Sequence, residues 1–215
     1  MTITCTVGRL NDIYDLDDLL NQFSISLRNH SRRVAVCSAI IAEYADAYIN
    51  FYNIPEGISL PVIAHMGGTC HDIGKLMIPA INANDDDYRR HPELGAEMLE
   101  AHQIDFLGDD PSAQMILDIV RYHHEQTDGE GFPGGLRAKD IPLIAGICSV
   151  ADKLDHNMYL KNMRSGDDAK VFKMIGALAG RHFCECTWVC VKCAWPRLVE
   201  KYATWNHFTG NYGWE

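Results

Sequence analysis

The most informative part of the chain is residues 61–75, PVIAHMGGTCHDIGK. Its apolar residues predict a helix that begins near Pro61 and runs into His71 and Asp72. A carboxylate within an apolar helix costs several kcal/mol unless a cation meets it, so Asp72 requires a partner. Lys75, one helical turn later, could be that partner, or it could serve a substrate.

An upstream segment carries a helical stripe of its own. From Phe23 to Tyr48, apolar and aromatic residues recur at alternating helical spacings, which predicts one continuous helix. His30 lies in the middle of this stripe. Taken alone, such a histidine is usually a hydrogen-bonded core residue, because neutral imidazole tolerates burial when it is paired. Residues 53–57, which include Pro55, predict the break that ends the helix.

Three further segments place histidines or aspartates at helical positions. His91 opens the sequence HPELG, in which the proline suits the first turn of a helix, and it could be no more than a helix-start residue. His123 and His124 extend the apolar face of the helix before them. Burying two imidazoles side by side is expensive unless both are ligands. A helix from Pro142 places Asp152 among apolar neighbours, which repeats the problem of the buried carboxylate.

Together these side chains predict a metal centre, because one shared cation group satisfies all of them at once. Imidazole and carboxylate without cysteine suit iron, manganese or zinc. The ligands are too many for one tetrahedral ion and suit two octahedral ions with one bridging carboxylate. We expect two metal ions, with iron or manganese favoured over zinc, nickel or magnesium. The predicted ligands are His30, His71, Asp72, His91, His123, His124 and Asp152.

No strand pattern of alternating polarity occurs, so we expect an all-α fold. Residues 128–135, DGEGFPGG, predict a shaped loop because glycine and proline dominate them, and residues 82–87 predict a polar loop. Beyond Ser165, two further helices should end in a Trp-rich tail. We therefore expect a helical domain over residues 1–180 and a C-terminal helical tail over residues 181–215, packed on the same domain.

Composition narrows the class of protein. The 215 residues carry a formal net charge of −10. That charge argues against a nucleic-acid polymer as partner, because phosphate binding needs a basic surface. No stretch is apolar for long enough to span a bilayer, and the polar, acidic residues 1–20 do not resemble a signal peptide. We expect a cytoplasmic protein whose eight cysteines are reduced thiols.

Five sequence blocks resemble one known family. In order they are His30, HDIGK at 71–75, HPELG at 91–95, HHEQTDGEGFPGGL at 123–136 and IPLIAGICSVADKLD at 141–155. Over most of its length the chain is similar to the HD-GYP subgroup of the HD-domain phosphohydrolases. The resemblance implies an all-α HD-domain helical bundle with a C-terminal helical extension. It implies a cyclic di-GMP phosphodiesterase that yields pGpG and, in some members, GMP, and it leaves room for a regulatory protein partner.

The resemblance also implies roles for individual residues. The seven residues above match the family's metal ligands, with Asp72 as the bridging carboxylate. Lys75 matches a lysine beside the scissile phosphate, where a fixed cation would stabilise the equatorial oxygens. In the chemistry we expect, Asp72 or a water molecule at the metal would handle protons. Asp155 matches an aspartate that supports a ligand without binding metal itself.

The residues expected to bind substrate depart from the family pattern. Phe132 replaces the tyrosine of GYP, and Gln126 replaces an arginine after HHE. Lys161 and Arg164 keep two positive charges where the family has a motif that grips the dinucleotide, but not its spacing. Ser26 stands where trinuclear members carry a glutamate, which predicts two ions, since a hydroxyl is a poor ligand for a hard cation.

Three functions stay open at this point. The first is an active cyclic di-GMP phosphodiesterase, and the second is a phosphohydrolase of another nucleotide, since the HD scaffold hosts several. The third is a signalling module that binds cyclic di-GMP with weak or no turnover. The intact set of ligands favours the first two, whereas the altered substrate-side residues favour the third.

A second cluster lies outside the family pattern. His182, Cys184, Cys186, Cys190 and Cys193 crowd a short segment, which could form a zinc or iron–sulfur site. The spacing is not a familiar zinc motif. The alternative is simple burial, because the last three cysteines are also at helical spacing and free cysteine behaves as a small apolar residue.

Overall fold

The computed structural model describes residues 21–45, 57–78, 84–101, 111–160 and 167–209. Every regular element in these ranges is a helix, and the only β-structure in them is two isolated bridges. The predicted all-α fold is therefore confirmed. None of the helices in the described ranges is long and apolar enough to cross a bilayer.

The described residues contain eight α-helices. They are α1 (Ile25–Ala42), α2 (Leu60–Cys70), α3 (Asp85–Arg89), α4 (His91–Ala101), α5 (Pro111–Tyr122), α6 (Leu143–Asp155), α7 (Asp168–Gly176) and α8 (Glu185–Thr209). A 3₁₀ turn, Ile73–Met77, follows α2, and a π turn, His156–Leu160, continues α6. α1, α2, α5 and α6 pack around one continuous apolar core.

Two adjacent glycines set the depth of α2 in the bundle. A Cβ built on Gly68 would lie 2.8 Å from the Cα of Ala35 in α1, and one on Gly67 would lie 2.2 Å from the Cδ1 of Ile119 in α5. Neither position has room for a larger side chain. The close approach carries the C-terminal end of α2, and the histidine and aspartate after it, into the interior.

α1 is shorter than its apolar stripe predicted. The helix ends at Ala42, and Tyr44 lies in a turn in which its N–H donates to the carbonyl of Ile41. The prediction of a helix continuous to Tyr48 is therefore wrong beyond Ala42, and Tyr48 itself lies outside the described residues. An apolar period indicates burial rather than a continuous helix, and here Ala45 is buried although it follows the end of the helix.

Two other helices also end before the ligands that were placed on them. α2 ends at Cys70, so His71 caps it and Asp72 precedes the 3₁₀ turn. α5 ends at Tyr122, so the two histidines after it stand in a turn. In each case the metal-site side chains leave the end of a helix, where the backbone can direct adjacent side chains toward one point.

A short helix takes in residues 85–87 of the predicted polar loop 82–87, whose first two residues lie outside the described ranges. Asn84 begins α3 with a reciprocal cap: its side chain accepts from the N–H of Asp87, and the Asp87 carboxylate accepts from the N–H of Asn84. This capping box was present in the sequence and would have predicted the helix. α4 begins at His91, as predicted.

The loop at residues 128–135 is confirmed as an irregular, shaped segment. Gly129 and Gly135 have positive φ, which favours glycine. The buried carboxylate of Glu125 organises the loop, because it accepts from the N–H of Gly134 at 2.6 Å and of Leu136 at 2.8 Å.

The C-terminal helices are those predicted beyond Ser165. α8 packs against α1, where the thiol of Cys37 donates to the hydroxyl of Tyr202 over 3.4 Å. Leu198 and Tyr202 are buried in the common core. The predicted division near residue 180 stays a prediction.

The cysteines depart from the expectation at one place. Cys184 and Cys186 form a disulfide, so the prediction that the thiols are reduced is wrong for this pair. Four free cysteines are buried in the described residues, as small apolar side chains are: Cys37, Cys70, Cys148 and Cys190. Neither group of potential metal ligands in the described residues includes a cysteine or His182.

Candidate metal centre

The structure brings the seven predicted metal ligands together in two groups. Within each group, the potential ligand atoms lie within 4.8 Å of one another. The ligands come from five places in the bundle: α1, the end of α2, the start of α4, the turn after α5, and α6. One group is Asp72, His91, His123 and His124, and the other is His30, His71 and Asp152.

Four of the five imidazoles are oriented by a hydrogen bond at Nδ1. Because a backbone carbonyl or a carboxylate is the acceptor, Nδ1 carries a proton and Nε2 is the atom that faces the centre. Metal-bound histidines are commonly held in this way. The four bonds are His71 to Gly68 O (2.8 Å), His91 to Tyr88 O (2.7 Å), His123 to Val120 O (2.9 Å) and His30 to Asp155 Oδ2 (2.7 Å).

Asp155, the last residue of α6, is a fully buried carboxylate that contacts α1. It accepts from His30 and, through both oxygens, from Arg33 Nε at 2.6 Å and Nη2 at 3.0 Å. It therefore fixes the ring of His30 without pointing into the centre itself. Arg33 was not predicted from the sequence, although its position three residues after His30 places both side chains on the same face of α1.

Asp72 lies between the two groups, and its two oxygens face different partners. Oδ1 is 3.2 Å from His91 Nε2, whereas Oδ2 is 3.4 Å from His71 Nε2 and 2.6 Å from Lys75 Nζ. The carboxylate is 1% exposed. A buried carboxylate with one oxygen turned toward each group has the geometry of a bridging ligand.

The protein groups alone leave this centre poorly satisfied. His71 Nε2 is buried and has no hydrogen-bond partner among the described residues. The Nε2 atoms of His91 and His123 face each other at 3.3 Å, although each ring already donates from Nδ1. A cation between these lone pairs removes both problems, so the donor set fits a metal site.

The electrostatics favour the protonation states that bind metal. Burial and the neighbouring imidazoles hold the pKa of His123 well below its usual range, and burial lowers the pKa of His124 to about 3. Burial alone would raise the pKa of Asp72, but His71, His91 and Lys75 hold it well below its usual range. Neutral imidazoles and an ionised carboxylate are the forms that coordinate a cation.

His30 differs from the other rings. Burial alone would lower its pKa, but hydrogen bonds to Asp152 and Asp155 raise it to about 9. Without a metal, its Nε2 therefore holds a proton, 3.2 Å from Oδ1 of Asp152. A metal that binds both residues takes the place of that proton.

The HD domain family matches residues 27–157 of this chain, more than half of its length. The chain belongs to the HD domain family. The matched range contains all seven residues of the two groups.

Several characterised proteins are similar to this HD domain. Cyclic di-GMP phosphodiesterase PA4108 of Pseudomonas aeruginosa is 27% identical over 172 residues, which cover 69% of this chain and 39% of that protein. The cyclic di-GMP phosphodiesterase response regulator RpfG of Xanthomonas campestris is 36% identical over 102 residues, covering 43% and 25%. The 3'3'-cGAMP-specific phosphodiesterase 2 of Vibrio cholerae is 25% identical over 195 residues, covering 84% and 36%. The chain thus spans less than half of each relative.

A solved structure shares the fold. The HD domain of the Listeria monocytogenes phosphodiesterase PgpH, in complex with cyclic-di-AMP, superposes with a TM-score of 0.50 at 18% identity. The match covers 92% of this chain and 98% of that one. This agreement supports the HD-domain helical bundle predicted for the chain.

A cavity of about 460 Å³ opens beside the metal centre. Lys75 and Ser26, both singled out from the sequence, line it together with His30 and Asp152. Other lining residues were not predicted, because they come from α3 and from the end of α6: Tyr88, Lys153, His156 and Asn157.

Phe132 packs against one side of the metal centre. Its ring stacks on that of His124, with centroids 4.6 Å apart. Gln126, in contrast, does not line this cavity. It does not line a second cavity either, which Phe132 borders. Lys161 and Arg164 lie outside the described residues.

Proposed function

We propose that this HD domain is a metal-dependent phosphodiesterase that hydrolyses cyclic di-GMP to linear pGpG, with GMP as the product of a second cleavage. The observation that carries the proposal is the meeting of two groups of ligand atoms at Asp72, with Lys75 beside the same carboxylate. The names of two relatives, both cyclic di-GMP phosphodiesterases, support the choice of substrate.

The metal complement we propose is two ions. Asp72 would bridge them, His91, His123 and His124 would hold one, and His30, His71 and Asp152 would hold the other. Iron or manganese suits this mixture of imidazole and carboxylate better than zinc, nickel or magnesium. A third ion is not expected, because the side chain that lines the cavity one turn before His30 is the hydroxyl of Ser26.

The chain's own groups would orient the phosphate and move protons. Bound metal would neutralise the phosphate and make a water molecule at the centre more acidic. Lys75 lines the cavity, where its ammonium would stabilise the equatorial oxygens of the scissile phosphate. In hydrolysis the water oxygen forms a bond to phosphorus, the bond to the 3′ oxygen breaks, and the proton lost by water ends on that oxygen. Asp72 or a second water molecule at the centre is our candidate for carrying it.

The residues proposed to bind substrate match the family pattern less well than the proposed metal ligands do. We propose that Phe132 packs against a base or sugar of the substrate from its position on His124. Gln126, Lys161 and Arg164 remain proposed substrate-binding residues. Because these positions differ from the family pattern, we expect slow turnover. Misplacing a substrate by about 1 Å can cost roughly a hundredfold in rate.

Two other functions fit the same centre. One relative is named as specific for 3'3'-cGAMP, which favours a phosphodiesterase for another nucleotide as the second candidate. A signalling module that binds cyclic di-GMP without hydrolysing it is the third, because Phe132 brings no hydroxyl to the centre. Whichever holds, we place the chain in the cytoplasm, with residues 181–215 as a tail on the same domain and a regulatory protein as a further partner.

Chromatography of nucleotides incubated with iron- or manganese-loaded protein under reducing conditions tests the proposal. Cyclic di-GMP should disappear as pGpG and then GMP appear, and a chelated sample should form neither. If cyclic di-GMP persists while 3'3'-cGAMP or another nucleotide is consumed, the second function holds. If cyclic di-GMP binds but no nucleotide is consumed, the third function holds.

A further inference from the structure

A second cavity, of about 350 Å³, adjoins the metal centre. Its lining includes Arg89, Arg90, Glu93 and Phe132. Two arginines, from the end of α3 and the start of the next turn, give it cationic groups, and Glu97 lines it as well as Glu93. None of the seven metal-centre residues lines this cavity.

The ring of Phe132 lies between the second cavity and the metal centre. Phe132 stacks on His124 at 4.6 Å, and the guanidinium carbon of Arg89 lies 4.7 Å from the Phe132 centroid. The neighbouring Tyr88 lines the first cavity, with its ring 4.9 Å from that of His91. α3 therefore contributes one residue to each cavity, and its capping box fixes the turn that presents them.

The guanidinium of Arg89 is arranged to bind an anion. Arg89 is exposed, and its guanidinium carbon lies over the ring of Phe132, so its N–H groups can donate hydrogen bonds to a ligand. No described carboxylate lies within ion-pair distance of Arg89, and the Glu93 carboxylate in the same cavity pairs with Arg121 at 3.4 Å instead. A planar fork of N–H donors matches the oxygens of a phosphate, which it can bind through two parallel hydrogen bonds.

A cyclic dinucleotide has two phosphates on opposite sides of its ring. If one phosphate lies at Lys75 and the metal ligands, the other projects away from the metal centre and needs a cationic group of its own. We infer that Arg89 binds this second, non-scissile phosphate across the ring of Phe132 and so determines specificity for cyclic dinucleotides over simple phosphodiesters. This inference rests on the proposed function.

Steady-state kinetics with two substrates tests it. Cyclic di-GMP carries a second phosphate, whereas bis(p-nitrophenyl) phosphate carries a single phosphodiester. Arg89→Ala should raise the KM for cyclic di-GMP about tenfold relative to its effect on bis(p-nitrophenyl) phosphate, with little change in kcat, as expected for the loss of charged hydrogen bonds. Arg89→Lys should recover part of the loss, because it restores the charge without the fork.

Arg32→Ala is the matched control, since Arg32 is exposed and lines neither cavity. An Arg89→Ala variant whose KM for cyclic di-GMP equals that of the control overturns the inference. Equal losses on both substrates also overturn it, because they would mean that Arg89 acts on the metal centre. The proposed function is judged separately, by wild-type turnover of cyclic di-GMP. A wild type that cleaves bis(p-nitrophenyl) phosphate but not cyclic di-GMP overturns both.

Discussion

At the scale of single residues, the metal centre depends on which atom of each side chain faces inward. Nδ1 of His71 and His91 is engaged by a carbonyl one turn earlier in the chain, so their Nε2 atoms are directed to the centre before any ligand arrives. Asp72 is constrained in a different way, because its two oxygens face the two groups of ligands at once. Such preorganisation lowers the cost of ordering ligands on binding.

Asp72→Ala is expected to abolish binding of both ions, because one carboxylate would serve each of them. Elemental analysis after reconstitution with iron or manganese should give about two equivalents for the wild type and close to none for the variant. Asp152→Ala is the matched comparison, since Asp152 belongs to one group only, and it should retain one ion. A variant at Asp72 that keeps two ions contradicts the bridging role.

Asp155→Asn is expected to weaken metal binding by roughly 10–100-fold while leaving every direct ligand in place. The amide keeps the size of the side chain but removes the charge that orients His30 and pairs with Arg33. A chelator competition assay gives the affinity. Asp140→Asn, at an exposed position, is the control and should leave it unchanged. Equal affinities in both variants would assign Asp155 a purely structural role.

At the scale of elements, the centre is built where helices stop. α2, α5 and the short α3 all end within a few residues of a ligand, and the 3₁₀ turn after α2 directs Lys75 back over Asp72. These ends can converge only because α2 is sunk between its neighbours at Gly67 and Gly68. The close packing of α2 is therefore the element-scale condition for the site.

Gly68→Ala is expected to destabilise the fold by about 1–3 kcal/mol, since the new methyl group would meet the backbone of Ala35 and force α1 and α2 apart. Urea unfolding followed by circular dichroism measures the change. Val62→Ala, on the exposed face of the same helix, should stay within about 0.5 kcal/mol of the wild type. If the two variants are equally stable, the α1–α2 contact is looser than described.

At the scale of the whole molecule, α8 packs against α1 on one side of the bundle. Leu198 and Tyr202 are buried there, and Arg197 pairs with Glu43 at the end of α1. Since α1 also carries His30 and Arg33, the last helix supports the helix that holds part of the metal centre. The predicted single domain with a packed tail requires this coupling.

Leu198→Ala is expected to cost about 2–5 kcal/mol, because it leaves a cavity between α8 and the core. Thermal unfolding should remain a single transition at a lower Tm, since tail and bundle share one core. Val189→Ala, at an exposed position of α8, is the control. Two separate transitions, with the metal centre melting independently of α8, would contradict a tail packed on the same domain.

The sequence by itself determined the helical class and the residue types of the metal centre. A helical period indicates which face is buried, and His71, Asp72 and Asp152 stood out because polar groups are costly on such a face. Only the tertiary structure decided where α1 ends, that Arg33 supports the centre through Asp155, and that Arg89 lies over Phe132. Those features depend on contacts between residues distant in the chain, such as Arg33 with Asp155 and Arg89 with Phe132. A local pattern specifies burial, but it does not specify which distant side chain fills the space.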